Sequence, residues 1–305
     1  MKKNYKIAVI IPTYSDYIAE TIKAVASALK SKFSNKEVIA VDDGSEKGIQ
    51  LRLSKILKKS FPNVVLELSA KNQGFAATCN IGAEIAIRNN ADILFFLNND
   101  AVIKEDCIGL MVKEFIDEKV AIVGPKIYLG NTDILNSVGG YFDKRTLLKK
   151  EYGSGEKDNG QFDKKREVEF VMGSAFMVSV PVFRELGGFD ECFYMYTEET
   201  DFCYRTIKAG HKVIYQPEAI VWHGHAKTFG KTKNKVMYYH IRNGIYLSKK
   251  NGNVWNVIRT IIYFHMTHLK AIFKFFVKSL IVFFMAISDG LRGKMGKREN
   301  KFLNL

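Results

Sequence analysis

Apolar and polar positions alternate in blocks through the first hundred residues of this chain. Four short runs, KIAVII (6–11), EVIAVD (37–42), VVLEL (64–68) and DILFFL (92–97), are rich in β-branched and aromatic residues and read as strands. Between them, 16–32, 47–60 and 75–89 carry apolar residues at helical spacing. The order β-α-β-α-β-α-β predicts an α/β fold of Rossmann-like type, with a mainly parallel central sheet flanked by helices. Near-continuous apolar strands agree, because such a sheet is covered on both faces.

The pattern loosens over 124–169, where Gly139-Gly140, EYGSGEKDNG and a charged stretch predict irregular hairpins and mobile loops. A helix is expected over 198–208, stopped by Gly210. From 254 to 287 the chain is rich in Phe, Ile and Val but interrupted by Arg259, Lys270, Lys274 and Lys278. At about 100° per residue these four project within one arc of a helix, with Thr267 among them and apolar groups filling the rest. A basic stripe beside a wide apolar face suits an anionic membrane surface. The same helix would equally serve as a core helix on the main domain or as a homodimer contact. No segment offers the roughly 20 uninterrupted apolar residues of a spanning helix.

With 305 residues, 47% of them apolar, the chain exceeds the usual single domain. One large domain (1–252) and a C-terminal amphipathic helical extension (253–305) are expected. Charge sharpens that division. From Arg205 onward there are 19 Lys and Arg against 3 Asp and Glu, leaving 27 against 29 before it, so the net +14 belongs to the C-terminal third. Cys79, Cys107, Cys192 and Cys203 form no C-x-x-C pair, which suggests reduced, cytoplasmic thiols. The basic N-terminus runs into Pro12 and polar residues without a small-residue cleavage site, so it reads as a first strand rather than a secretory signal.

In an open parallel sheet, ligands bind beyond the carboxyl ends of the strands. Those ends here are Pro12-Thr13-Tyr14, Asp42-Asp43-Gly44-Ser45, Lys71-Asn72-Gln73-Gly74 and Asn98-Asn99-Asp100. Asp42 and Asp43 fit a turn and helix cap; they also fit a base pocket, a carboxylate accepting a pyrimidine imide N–H while Tyr14 stacks on the ring. Asp100 fits a cap or a hard ligand for Mg²⁺ or Mn²⁺ bridging a diphosphate. Glu198, Glu199 and Asp201 suit a helix start, yet carboxylates so crowded also raise one another's pKa and suit a general base. His223, ending the run AIVWH, reads as a structural residue or a metal ligand, and His225 as a weaker candidate.

Taken in order, IIPTY, VDDGS, NQGFAATCNIG, FLNND, GSAFMVSVPVFRELGGFDE, YTEETDFCYR, VWHG and RNG resemble glycosyltransferase family 2, the inverting enzymes of GT-A fold. The resemblance runs from Ile7 to about Gly252. It implies a nucleotide-sugar donor whose base is held by Pro12, Tyr14 and Asp43. Asn72, Gly74 and Asn80 would line the donor pocket, with Thr13, Asp42, Asn98, Asn99 and Gly173 at the same site. Asp100 takes the position of the metal-binding Asp-x-Asp motif, His223 a second metal position, and Glu199 that of the catalytic base. Two departures stand out. Asn98-Asn99-Asp100 keeps one aspartate only, and the base position holds Glu in place of Asp, so that Glu198 or Asp201 could share its work.

Within the family, GGFDECFYMYTEETDFCYR and YYHIRNGIYLSKK look most like bacterial rhamnosyltransferases of cell-surface polysaccharide assembly. That implies dTDP-rhamnose, with a UDP-sugar as the alternative, a glycan or lipid-linked acceptor, and a cytoplasmic enzyme at the inner face of the cell membrane. A nucleic-acid-binding protein is disfavoured, since it leaves the strand-end carboxylates unexplained; a non-catalytic nucleotide-sugar binder would fit the shortened metal motif. A processive synthase is disfavoured too, because neither Trp222 nor Trp255 lies in a Gln-x-x-Arg-Trp motif.

Overall fold

A computed structural model describes residues 4–224, 233–300 and 303, and within them the side chains of all but 268–278. The first four strands, β1 (Ile7–Thr13), β2 (Lys36–Asp42), β3 (Val65–Leu68) and β4 (Ile93–Leu97), pair in parallel in the order β4-β1-β2-β3. Beyond β4 the sheet continues through β11 (Ala175–Ser179), β6 (Val120–Leu129), β12 (Lys212–His223) and β10 (Arg166–Val168). Short strands β5 (Ala101–Ile103) and β7 (Leu135–Ser137) pair with β12 and β6.

The strand directions decide where chemistry can gather. β6 and β12 are mutually parallel, and β11 lies antiparallel between β6 and β4. The carboxyl ends of β1, β2, β4, β6 and β12 therefore share one edge of the sheet with the amino ends of β5 and β11.

Strand side chains alternate between two buried layers. Ile7, Val9, Ile11, Phe95 and Leu97 pack under α1 (Ile18–Lys30), α2 (Lys47–Ser60) and α4 (Cys107–Val112). Ala8, Ile10 and Phe96 pack under α3 (Phe75–Arg88), α5 (Val180–Glu185) and α6 (Glu198–Lys208). Phe96 sits edge-on to Phe189 at 4.9 Å, within a cluster that includes Phe176, Phe183 and Phe202; such burial contributes about 1.5–3 kcal/mol per ring. This aromatic cluster lies directly beneath the loop that leads into α6.

Where irregular hairpins were expected, β6 runs as a ten-residue strand, and beyond it β8 (Gly140–Phe142) and β9 (Lys149–Glu151) form a small separate hairpin. The C-terminal region is a pair of helices, α7 (Lys233–Asn251) and the 39-residue α8 (Val254–Arg292). The turn between them is fixed by a capping box: the Asn253 side chain accepts from Trp255 and Asn256 N–H, and Asn256 Oδ1 accepts from Asn253 N–H. Tyr238, Tyr239, Ile241 and Ile245 of α7 share one buried cluster with Phe264, Val282, Phe283 and Ala286 of α8. The boundary expected at 252/253 thus falls inside a hairpin that packs as one unit. His225 lies outside the described residues, as do the side chains of Lys270, Lys274 and Lys278.

Candidate active site

Asp100 and His223 meet at the shared sheet edge. Ala101 N–H donates to Asn98 O at 3.0 Å, making a turn that swings the chain from β4 into β5. His223 is the last residue of β12 and pairs in register with Ala101. The result brings Asp100 Oδ1 to 3.2 Å from His223 Nε2. On the far side of the ring, Nδ1 is 2.9 Å from Asn136 Oδ1, an arrangement in which Nδ1–H donates and the Nε2 lone pair faces the carboxylate. A cation seated between Nε2 and the carboxylate would satisfy both.

Asn98 borders this corner. Its Oδ1 is buried without a partner, while its Nδ2 lies 3.5 Å from His223 Nε2. Among the described residues no three His, Cys, Asp or Glu side chains converge on one point. The candidate ligands for a divalent ion are therefore the Asp100 carboxylate and the His223 imidazole, a mixed oxygen and nitrogen pair that fits Mn²⁺ or Mg²⁺ sharing its other positions with diphosphate oxygens and water. Asn136 fixes the ring from behind.

The second centre is the head of α6. Glu198 and Glu199 are 4% and 6% exposed, yet they differ in company. Glu199 Oε1 lies 3.2 Å from Lys149 Nζ, which also reaches Glu151 at 3.1 Å. Burial opposes the Lys149 charge, but the two facing carboxylates outweigh it and hold the ammonium above the ordinary lysine range. Glu198 has one buried oxygen with no partner. Burial first, and the charge of Glu199 second, push its carboxyl well above the ordinary range. Neighbouring carboxyls are thus placed in different company, one facing a cation and one in surroundings that favour its protonated form.

A chain of contacts joins the two centres. A Cβ on Gly173 would stand 3.0 Å from Glu199 Cγ, so a larger residue at the start of β11 would push on the Glu199 side chain. The next residue, Ser174, accepts a hydrogen bond from Asn98 N–H at 2.8 Å. Asp201 turns away. It is fully buried and held by Arg205 at 2.7 Å and Lys250 at 3.0 Å.

The third group is the loop cluster at the ends of β1, β2 and β3. Asp43 accepts from Asn72 Nδ2 at 2.8 Å, Gln73 N–H at 2.7 Å and Gly74 N–H at 2.9 Å. Burial nonetheless raises its pKa, the Gln73 and Gly74 bonds offsetting only part. Asp42 faces inward to Ser45 and Gln50 and fixes the turn. Pro12 and Thr13 are buried, the Thr13 hydroxyl bonding Thr21 at 2.8 Å and accepting from Asn99 at 3.2 Å. Tyr14 stands out, 47% exposed. Gly74 adopts φ +98, and a Cβ there would lie 2.3 Å from Tyr194 O. Asn80 is bound to Phe189 and Glu191, tying α3 to the aromatic segment below.

A cleft of about 1010 Å³ opens beside Asp100, lined along α1 by Tyr17, Glu20 and Lys23 and across from it by Trp222 and Gly224. Lys149 and Asn136 escaped the sequence reading; each sits in an undistinguished polar stretch and becomes informative only through its partner.

The sequence model described as Glycosyl transferase family 2 matches residues 8–187. A dTDP-rhamnosyl transferase, RfbF, of Shigella flexneri is 25% identical over 96% of this chain and 98% of its own. A pre-mycofactocin glycosyltransferase of Mycobacterium tuberculosis is 26% identical over 72% of this chain; the match spans 43% of that relative's length. Among solved structures, a mannosyltransferase from Pyrobaculum calidifontis in complex with GDP-Man and Mn²⁺ superposes with a TM-score of 0.61 at 14% identity, over 95% of this chain and 76% of the other. That likeness is one of fold.

Proposed function

The chain belongs to glycosyl transferase family 2, and from that we propose that it moves a sugar from a nucleotide-sugar donor to an acceptor hydroxyl, with Glu199 taking the acceptor's proton. The observation that carries this reading is the geometry at the head of α6: Glu199 Oε1 faces the Lys149 ammonium at 3.2 Å, whereas Glu198 is buried with an oxygen that has no partner. The acceptor oxygen gives its proton to Glu199 and bonds to the anomeric carbon as the bond from that carbon to the diphosphate breaks. The electron pair leaves with the nucleoside diphosphate. Tyr14 offers an open ring face to the base, and the Asp43-held loop at Asn72–Gly74 shapes the donor pocket. Asp100 and His223 would hold a divalent ion, which when bound neutralises charge on the departing diphosphate.

For the donor we favour dTDP-rhamnose. The likeness to the Shigella flexneri dTDP-rhamnosyl transferase, which spans nearly the whole of both chains, supports it; a UDP-sugar is the alternative. The test is a panel of dTDP- and UDP-sugars with Mn²⁺ or Mg²⁺, read as nucleoside diphosphate release. Turnover highest with dTDP-rhamnose, and falling by at least about 10²-fold on chelation or in Asp100→Ala, is expected, in line with one lost electrostatic stabiliser. Turnover indifferent to EDTA removes Asp100 and His223 from the reading.

The acceptor is a glycan or lipid-linked saccharide, met at the inner face of the cell membrane. Support comes from α8. No described helix is long and apolar enough to cross a membrane, yet Trp255, Ile262, Met266, Leu280, Phe284 and Leu291 are all exposed. At about 100° per residue they fall within roughly 20° of one line along the helix, and the C-terminal third carries the positive charge. Flotation with anionic phosphatidylglycerol vesicles is expected to carry the protein upward. Trp255→Ser with Phe284→Ser should weaken that binding about tenfold or more while nucleotide-sugar hydrolysis persists. Unchanged flotation, or a shift from dimer to monomer without loss of vesicle binding, would count against the membrane role.

A further inference from the structure

The loop that delivers Glu199 is built in a conformation that its own residues disfavour. Tyr194, Tyr196 and Thr197 have φ of +66, +65 and +79, three non-glycine residues in the left-handed region within four positions. Bulky and β-branched side chains seldom sit there unless surrounding structure imposes it. Thr197 is the residue before α6, and its side chain makes no capping bond to the helix. The restraint comes from α7 instead. Asn243 Nδ2 donates to Tyr196 O at 2.7 Å, Met195 O at 2.9 Å and Phe193 O at 3.2 Å. Arg242, fully buried, donates to Phe193 O at 3.0 Å and Gly296 O at 2.7 Å and orients the Asn243 amide through Asn243 Oδ1 at 2.9 Å. Its guanidinium lies 4.7 Å from the Tyr239 ring, and the Tyr194 ring packs against Tyr239 from the other side.

We propose that Arg242 and Asn243 are positioning residues: from the C-terminal helix pair they hold the loop 193–197 in the strained shape that presents Glu199 at the head of α6. The proposal rests on Glu199 being the proton acceptor. Two further contacts make the clamp reach across the whole site. Tyr194 OH donates to Asn72 Oδ1, joining the loop to the donor pocket. On the opposite side, Ser248 of α7 and Thr260 of α8 both donate to Thr146 O, at 2.6 and 3.0 Å, steadying the turn that leads into Lys149. Both members of the Lys149–Glu199 pair are therefore held by the same two helices. Neither Arg242 nor Asn243 contacts Glu199 itself in any hydrogen bond described, so they act through the backbone of the loop.

The test uses the full chain and measures dTDP or UDP release from dTDP-rhamnose or UDP-glucose, together with calorimetric binding of dTDP and UDP. Asn243→Ala is expected to lower kcat by about 10²-fold, the scale of a misplaced catalytic group, with nucleotide Kd within a factor of about three. Adding Thr197→Gly, which makes the left-handed φ unstrained, is expected to restore about tenfold of that loss. If Asn243→Ala fails to fold, Asn243→Ser, whose hydroxyl can satisfy at most one of the three carbonyls, carries the same expectation. Wild-type kcat in these variants alongside an inactive Glu199→Gln overturns the clamp and leaves Glu199 in place. An active Glu199→Gln overturns both. Equal loss of kcat and nucleotide binding, unrelieved by glycine at 197, assigns Asn243 a merely structural role.

Discussion

Glu199→Gln is expected to abolish sugar transfer, by about 10³-fold within the usual 10²–10⁴ range for a lost general base, while nucleotide binding survives. The amide keeps the shape and loses the capacity to take a proton. The neighbouring Glu198→Gln is the informative contrast. Burial first and the charge on Glu199 second favour the protonated form of Glu198, the form that a neutral amide imitates. That variant is expected to stay active within a few fold, by the same logic that a substitution matching the native protonation state removes little. It should also change the pH dependence of stability in a defined sense. A carboxyl raised above its ordinary value of 4.5 contributes stability that is complete below that pH and is lost as pH rises through its folded value. Glu198→Gln removes this loss, so its unfolding midpoint should exceed that of the wild type increasingly toward alkaline pH. An inactive Glu198→Gln beside an active Glu199→Gln would exchange the roles of the two residues.

The second large effect is expected at Lys149→Met. The ammonium faces both Glu199 and Glu151, and its removal leaves two carboxylates buried or half-buried without a cation. Breaking such a pair by deleting one partner costs about 3–5 kcal/mol when it is buried, and partial exposure of Lys149 places this case toward the lower end. Turnover should fall by about 10²-fold or more, the scale of one lost electrostatic stabiliser. Lys149→Arg, which restores the charge, should retain most of the activity. Wild-type kcat in Lys149→Met would show that the cation has no part in holding the base.

How far the fold could be read from the chain depended on where each strand finds its neighbours. In the first hundred residues β1, β2 and β3 pair with their neighbours in sequence and only β4 crosses back to β1, and α2 and α6 begin and end where their apolar spacing places them. β6, β11 and β12 are different. β11 inserts antiparallel between two strands of the opposite direction, and β6 pairs with a strand some ninety residues away; neither the local period nor the turn residues carry that information. α7 was hidden for another reason. Its buried face includes Arg242, Asn243, Gly244 and Ser248, polar or small residues that blur an amphipathic pattern.

The site was legible in the same uneven way. Asp100 and His223, 123 positions apart, were marked by strand ends, and β5 and β12 bring them together. Asp42, Asn80 and Asp201 carry residue types that suit ligand binding, but their bonds to Ser45, Glu191 and Arg205 show them holding the framework beside the cleft. Lys149 could not be found from sequence, since one lysine among many becomes distinctive only when a folded hairpin sets it against a particular glutamate.

Order of synthesis gives the helix pair one more meaning. The last strand of the sheet is complete at His223, so a nascent chain of that length already carries every carboxylate of the cleft. Arg242 and Asn243 leave the ribosome later, and Gly296, which accepts from Arg242, later still. A chain emerging from the ribosome would thus have its sheet assembled while the loop ahead of α6 remained unbraced, and the brace would arrive only once the helix pair had followed.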